Sequence, residues 1–228
     1  MMRGAQITEF ASQHGLQIIS IDELARVAPK KSISEDFVID WAELPLNGAD
    51  WKISTFISPT GAEHAILKFG VQTDSQPLVR VHSECLTGDV FGSKRCDCGS
   101  QLQEAMRLIE ASGHGYIIYL RDHEGRGIGL AEKIRAYVLQ DSGQDTVQAN
   151  ISIGQPVDDR TYEDAASILQ LLQIRSLTLL TNNPEKIAAI KKSGISVTSA
   201  PLEVIANKHN QKYLETKRDK LNHALGAL

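Results

Sequence analysis

The sequence predicts an α/β fold, a mixed central sheet flanked by helices, with an antiparallel, β-rich N-terminal half. Three observations predict it. Between residues 37 and 83 the segments FVIDWAEL, WKISTFIS, AEHAILKFG and PLVRVHS are rich in β-branched and aromatic residues. They follow one another across short turn signals, the pattern of antiparallel neighbours. From residue 115 onward, strand and helix patterns alternate, which favours parallel pairs with helices packed on them. With 228 residues, 42% hydrophobic and 23% charged, the chain can bury a core as one globular domain, or one domain with an appendage.

Residues 5–13 pattern as a helix and LQIIS (16–20) as a short strand, and Asp22 opens a short helix, DELARV. The polar run APKKSISED, with Pro29 and two lysines, reads as a linker, so a boundary falls near residue 33. Residues 1–33 are then an appendage and linker, and residues 34–228 the main domain. Asn47-Gly48 and Pro59-Thr60-Gly61 turn the first strands. In the fourth strand, alternation sends Arg80, His82 and Glu84 to one side and Val81 and Ser83 to the other. Ser100 is placed to cap a helix to about residue 112, with Leu102, Met106 and Ile109 on its apolar face. GYIIYL is a buried strand that runs into RDHEGRGIG and a helix from Leu130 to Gln140. Leu130, Ile134 and Val138 form that helix's apolar stripe, with Lys133 and Tyr137 together on an adjoining face. DTVQAN adds a helical turn, and Thr161-Tyr162-Glu163-Asp164 matches a capping box before a helix that buries Ala165, Ile168, Leu169 and Leu172. SLTLL is a strand, Pro184 opens the next helix, Gly194 ends it, ISVTS is the last strand, and a polar helix covers roughly residues 209–224.

Several function classes fall away. No run of about 18 apolar residues exists, so no membrane-spanning helix is expected. The N-terminus lacks a signal peptide's apolar core. Three cysteines, two of them one residue apart, fit thiolates on a metal in a reducing cytoplasm better than disulfides. A net charge of −4 opposes nucleic-acid binding, which needs a basic face. A phosphorylated small molecule needs only local positive charge, and Arg80, Lys94, Arg95, Arg121, Arg126, Lys133, Arg135, Arg160 and Lys186 gather beside loops.

Arg80–Gln101 holds all three cysteines, Cys85, Cys96 and Cys98, on one glycine-rich excursion. Three protein ligands with an open fourth position is the pattern of catalytic zinc. The alternatives are a structural zinc closed by His82 or Asp97, or three thiols without metal. Glu124-Gly125-Arg126-Gly127-Ile128-Gly129 is either a plain turn or a phosphate loop whose free N–H groups and Arg126 hold an anion. Tyr137 is a half-core aromatic or a site residue. Asp158 and Arg160 precede a helix, as caps or as an acid and a base around an anion. Thr181-Asn182-Asn183-Pro184 lies at the carboxyl end of a strand, where open α/β sheets bind ligands. Lys186 in the following first turn is unfavourable unless an anion is present.

In this order, RVHSECLTGD, RCDCG, EGRGIGL, IRAY, DTVQAN, DDR, LLTNNPEK and the late YLETK strongly resemble the motifs of the GTP cyclohydrolase II family, over roughly residues 35–222. The resemblance implies opening of the imidazole ring of GTP, with release of formate from C8 and of pyrophosphate. The product implied is a diamino-pyrimidinone ribosylamino phosphate on the way to riboflavin. It implies zinc on Cys85, Cys96 and Cys98, magnesium with the triphosphate, and a homodimer. GTP contacts would come from Arg80, Val81, His82, Ser83, Glu84, Gln101, Glu124, Gly125, Arg126, Thr146, Thr181 and Lys186. Arg160 would be the nucleophile toward the α-phosphate, Asp158 the proton acceptor, and Tyr137 an aid near the ring. Because an arginine is always charged, Arg160 could instead stabilise developing phosphate charge. EFASQHGLQIISIDELARV is similar to the closing segment of 3,4-dihydroxy-2-butanone-4-phosphate synthase, which implies descent from a fused enzyme or a fragment of one.

Overall fold

The structure, a computed structural model, describes residues 5–21, 40–73, 75–202, 206–221 and 223–224. The chain divides into two compact units, Met1–Phe37 and Val38–Leu228. In the first, α1 (Ala5–His14) brings the rings of Phe10 and His14 within 4.3 Å, one helical turn apart. The strand expected at LQIIS is absent: residues 16–20 carry no regular structure and are exposed. A strand needs a ladder partner for its backbone groups, and the seven strands of the sheet are paired with one another. The expected DELARV helix and the linker lie outside the described residues.

The second unit is a seven-stranded mixed sheet in the order β1-β2-β3-β5-β4-β6-β7, flanked by helices. Its strands are β1 (Ala42–Leu46), β2 (Ala49–Ile57), β3 (Glu63–Gly70), β4 (Leu78–Ser83), β5 (His114–Leu120), β6 (Ser176–Leu180) and β7 (Ser196–Ala200). The first three and β5 pair antiparallel, while β4 runs parallel to both β5 and β6, and β6 to β7. The Asn47-Gly48 turn, with both residues in the left-handed region, closes the first hairpin.

The helices are α2 (Leu86–Asp89), α3 (Cys98–Ser112), α4 (Gly129–Asp141), α5 (Thr146–Ser152), α6 (Glu163–Leu171), α7 (Pro184–Lys192) and α8 (Gln211–Leu221), with a 3₁₀ turn at Glu124–Arg126. α3 packs Ala105, Met106 and Ile109 on Trp51, Ile117 and Leu180, which forms the core beneath the site. No helix among the described residues is long and apolar enough to cross a membrane.

Three local expectations fail, two of them where a distant partner outcompetes the local one. α3 starts at Cys98 with Asp97 at its N-cap rather than with Ser100 as cap. Asp97 spends its carboxylate on Lys217 and Gln101 instead of on the helix amides. The capping box before α6 does not form, because Asp164 takes buried His64 at 2.9 Å. Most consequentially, α4 turns its apolar stripe outward: Leu130, Ile134 and Val138 are 39%, 45% and 64% exposed, while Lys133 and Ala136 are buried. The inward face is committed to polar partners, and these decide the helix's rotation.

Candidate active site

The site lies at the carboxyl ends of β4, β5 and β6, as the mixed sheet requires. The chain leaves β4 at Ser83 and enters α2, so Cys85 stands at a helix start while Cys96 and Cys98 enter α3. The three sulfurs lie within 4.8 Å of one another, with Cys85 and Cys96 Sγ 3.7 Å apart. Bonds of about 2.3 Å to one tetrahedral zinc would put two sulfurs about 3.8 Å apart, so the donor set fits that ion. The backbone is shaped around it. A Cβ on Gly88 would stand 2.9 Å from Cys96 Sγ and 3.3 Å from Cys85 Sγ, and a Cβ on Gly99 would collide with Gly88 O at 2.2 Å. Only glycines let the two ends of the loop close on the sulfurs.

No fourth histidine, cysteine or carboxylate joins this group among the described residues. His82 Nε2 sits 3.1 Å from both oxygens of Asp89, which also accepts from the Cys85 N–H and the Tyr119 hydroxyl. Asp97 is held by Lys217 and Gln101. Asp97 and the Nε2 of His82 are therefore committed elsewhere, and neither residue joins the sulfur group. Hydrogen bonds from Cys96 and Cys98 hold the Cys85 thiol far below its ordinary value against its burial, and Lys133 adds to the effect. The same coupling pushes Cys96 up to about 11. The Lys133 ammonium beside Cys85 favours the thiolate there, the form that binds metal.

Lys133 Nζ donates to Cys85 Sγ at 3.2 Å, Thr87 Oγ1 at 2.9 Å and Glu124 Oε1 at 2.5 Å. Glu124 accepts from the amides of Leu86 and Gly125, so it ties the cysteine loop to the glycine loop. In that loop the amides of Gly125, Arg126 and Gly127 are all paired internally, and Arg126 O accepts from Asp159 N. The expected free-amide anion cradle is therefore absent at these three residues. What the loop offers is the Arg126 side chain, whose Nη1 and Nη2 are buried and have no hydrogen-bond partner among the described residues.

Two adjoining cavities result. One runs past the three cysteines, Glu124, Lys133, Tyr137 and Thr146. The other is lined by Arg80, His82, Gln101, Thr181, Lys186 and Lys217. Ser83, Cys98, Arg126, Arg160 and Tyr213 border both. Arg95 lies over the Tyr137 ring at 4.4 Å, which places that ring in the wall of the sulfur-side cavity. Arg160 and Asp158 form a two-pronged pair. Burial would pull the Arg160 value down and the Asp158 value up, but the pair outweighs it, so both stay charged. Lys186 Nζ donates to Val81 O at 2.9 Å, and burial, then Arg80 and Arg160, pulls it well below its ordinary value.

Of the expected residues, Val81 contributes only its carbonyl, Asp158 acts through Arg160, and Glu84 and Gly125 line the sulfur side. Thr181 and Gln101 are polar wall, with Gln101 bridging Arg80 and Asp97. Lys133, His123, Tyr213 and Lys217 were not singled out as site residues from the sequence. A signal for the last pair existed: Tyr213 and Lys217 are four apart in YLETK, hence on one helix face.

The model of GTP cyclohydrolase II matches residues 38–201. "Riboflavin biosynthesis protein RibBA" of Salinispora tropica is 45% identical over 229 residues, covering 99% of this chain and 57% of that protein. "Probable bifunctional riboflavin biosynthesis protein RIBA 2, chloroplastic" of Oryza sativa is 47% identical over 231 residues, 99% of this chain and 41% of that one. The chain thus spans about half the length of these relatives. "GTP cyclohydrolase-2" of Neisseria meningitidis is 53% identical over 181 residues, 77% of this chain and 91% of that protein. The matched span contains the three cysteines, the glycine loop, the Asp158–Arg160 pair and Lys186, and on this agreement the chain belongs to the GTP cyclohydrolase II family of enzymes.

Proposed function

We propose that this chain hydrolyses GTP, opening its imidazole ring with release of formate and pyrophosphate to give a diamino-pyrimidinone ribosylamino phosphate, the first step of riboflavin biosynthesis. One observation carries the reading: a three-thiol cluster at one end of a cavity whose border holds a buried guanidinium with free donors. A zinc ion held by Cys85, Cys96 and Cys98 would supply Lewis-acid chemistry for hydrolysis at C8. Magnesium, a hard cation that takes phosphate oxygens and water, would arrive with the triphosphate. The chain's own residues bind and orient. Arg126, Arg160 and Lys186 present positive charge to the phosphates, and Arg80 holds Gln101 in the wall. Tyr137 lines the sulfur-side cavity, with Ser83 and His123 hydrogen-bonded to each other at 3.1 Å beside it. Asp158 fixes the Arg160 guanidinium and keeps it charged, so Arg160 acts by stabilising charge that develops on the phosphate rather than as a nucleophile.

The activity is assigned to residues 34–228, so deletion of residues 1–30 should leave GTP turnover largely intact, and collapse of activity in correctly folded protein would overturn that assignment. The protein works in the cytoplasm as a homodimer. The outward stripe of Leu130, Ile134 and Val138 on α4, with exposed Ile151 on α5, supports the dimer, because an apolar face of this kind is covered in assemblies. The test is to incubate zinc-loaded protein with GTP and magnesium and identify products by mass spectrometry. Formate, pyrophosphate and the deformylated pyrimidine are expected. A product that retains the formyl group, or unchanged GTP that merely raises the melting temperature, would overturn the reading.

A further inference from the structure

α8 lies beyond the span matched by the family model, yet it walls both cavities. Two side chains and the chain beyond it tie it down. Lys217 Nζ meets Asp97 Oδ1 at 2.6 Å, with both groups buried. Lys220 Nζ meets Asp145 Oδ2 at 2.6 Å, on the N-cap of α5. After the helix, Ala224 N–H donates to Asn182 O at 2.9 Å. Because Asp97 separates Cys96 from Cys98, the Lys217 contact pins the helix directly on the cysteine pair.

One turn before Lys217 stands Tyr213, on the border of both cavities. Lys217 Nζ lies 4.7 Å from its ring centroid and the Arg126 guanidinium carbon 6.0 Å from it. A ring attracts a cation through its quadrupole without consuming the cation's hydrogen-bond donors. A carboxylate at the same place would take the guanidinium in a two-pronged pair. That difference fits Arg126, which is buried with Nη1 and Nη2 unpartnered among the described residues.

We propose that Tyr213 is a positioning residue: its ring, held in place by Lys217 on Asp97, orients Arg126 while leaving both Nη groups for the phosphate of a substrate that stands across the two cavities. This rests on the functional reading above, so the probe is chosen to need no turnover. Inorganic pyrophosphate is titrated calorimetrically into the full-length, zinc-loaded protein with magnesium. Tyr213→Leu should weaken pyrophosphate binding about five-fold, the worth of one cation–π contact. Tyr213→Phe, which keeps the ring, should recover most of the loss, and Tyr213→Met serves if the leucine variant does not fold. In an Arg126→Ala background, Tyr213→Leu should cost nothing more, because the pair acts as a unit. KM for GTP should rise by the same factor with kcat little changed.

The proposal falls if Tyr213→Leu binds pyrophosphate like the parent, if Tyr213→Phe is as weak as Tyr213→Leu, if the loss persists without Arg126, or if the parent binds no pyrophosphate. If the pyrophosphate pattern holds while GTP is left unchanged, the cyclohydrolase reading fails and the assignment of Tyr213 stands.

Discussion

Lys133 and Lys186 are both buried lysines, each beside one of two adjoining cavities, and they are satisfied in opposite ways. Lys133 gives its donors to a thiol, a hydroxyl and a carboxylate, and the Cys85 charge and Glu124 hold its proton on against burial. Lys186 has one carbonyl and the Tyr162 ring at 5.4 Å, with no carboxylate in an ion pair among the described residues, and burial strips its charge preference. The sulfur side is a closed network that stands by itself. The basic side carries an uncompensated desolvation cost, which a fold keeps where a ligand brings the missing charge.

The largest break in this contrast is at the metal cluster. Cys96→Ser should abolish metal binding and GTP turnover together while thermal unfolding remains cooperative, because the core around Trp51, Ile109 and Ile117 does not include the sulfurs. Metal analysis and a melting curve on the same sample decide it, and loss of the cooperative transition would make the cluster structural. Next comes Lys133→Met, which leaves the Glu124 carboxylate and the Cys85 thiolate buried without their cation. Breaking such a pair costs about 3 kcal/mol. Zinc should restore part of that, since the ion's own charge then neutralises the thiolates. Urea unfolding with and without zinc measures both, and equal stability in either state would remove Lys133 from the network.

Lys186→Met should do the reverse. The metal-free protein should gain about 1 kcal/mol, while KM for GTP rises about ten-fold from loss of one charge-assisted contact. A lysine whose folded value lies below its unfolded one, near 10.4, makes the parent more stable as pH rises toward that value, because the unfolded chain binds the extra proton. That rise should vanish in the variant. A destabilised Lys186→Met protein would show that the carbonyl of Val81, not a ligand, is reason enough for the lysine.

Much of this was legible in the residues. The Asn47-Gly48 turn, Pro184 at the start of α7, Gly194 after its end and the three cysteines act over a few residues, so their consequences can be read locally. What was not legible depends on partners far along the chain. Asp164 gives up its cap for a histidine 100 residues away, Asp97 for a lysine 120 away, and α4 rotates its apolar stripe outward because Lys133 has found Cys85. Periodicity predicts that a stripe will be covered, but not whether the fold or another surface covers it. The glycine loop misled for a similar reason. Its amides looked free until the chain at Gly125–Gly127 folded back on His123 and Glu124, which left the side chain of Arg126 as the donor.

The smallest effect tests whether the two regions speak to each other, and His123 is where they would. It lines the sulfur-side cavity, bonds to Ser83, and is pushed down to about 3 by burial and then by the charges of Arg160 and Lys186. An unfolded histidine titrates near 6.5, so between about 6.5 and 3 the unfolded chain holds a proton that the folded one lacks. Stability is therefore complete above that window and falls with acidification, by at most about 1.4 kcal/mol per pH unit for this residue. His123→Gln should remove that share of the slope and leave the share of His223, also pushed down to about 3 by burial. Pyrophosphate should shrink the difference between the parent and His123→Gln, because an anion beside Arg160 and Lys186 cancels the repulsion that keeps His123 neutral. Unfolding by urea across this pH range, with and without pyrophosphate, reads the change in slope separately from the ligand's own stabilisation. An unaltered difference would mean that burial alone sets His123, and that the basic cavity sends no field across to the sulfur side.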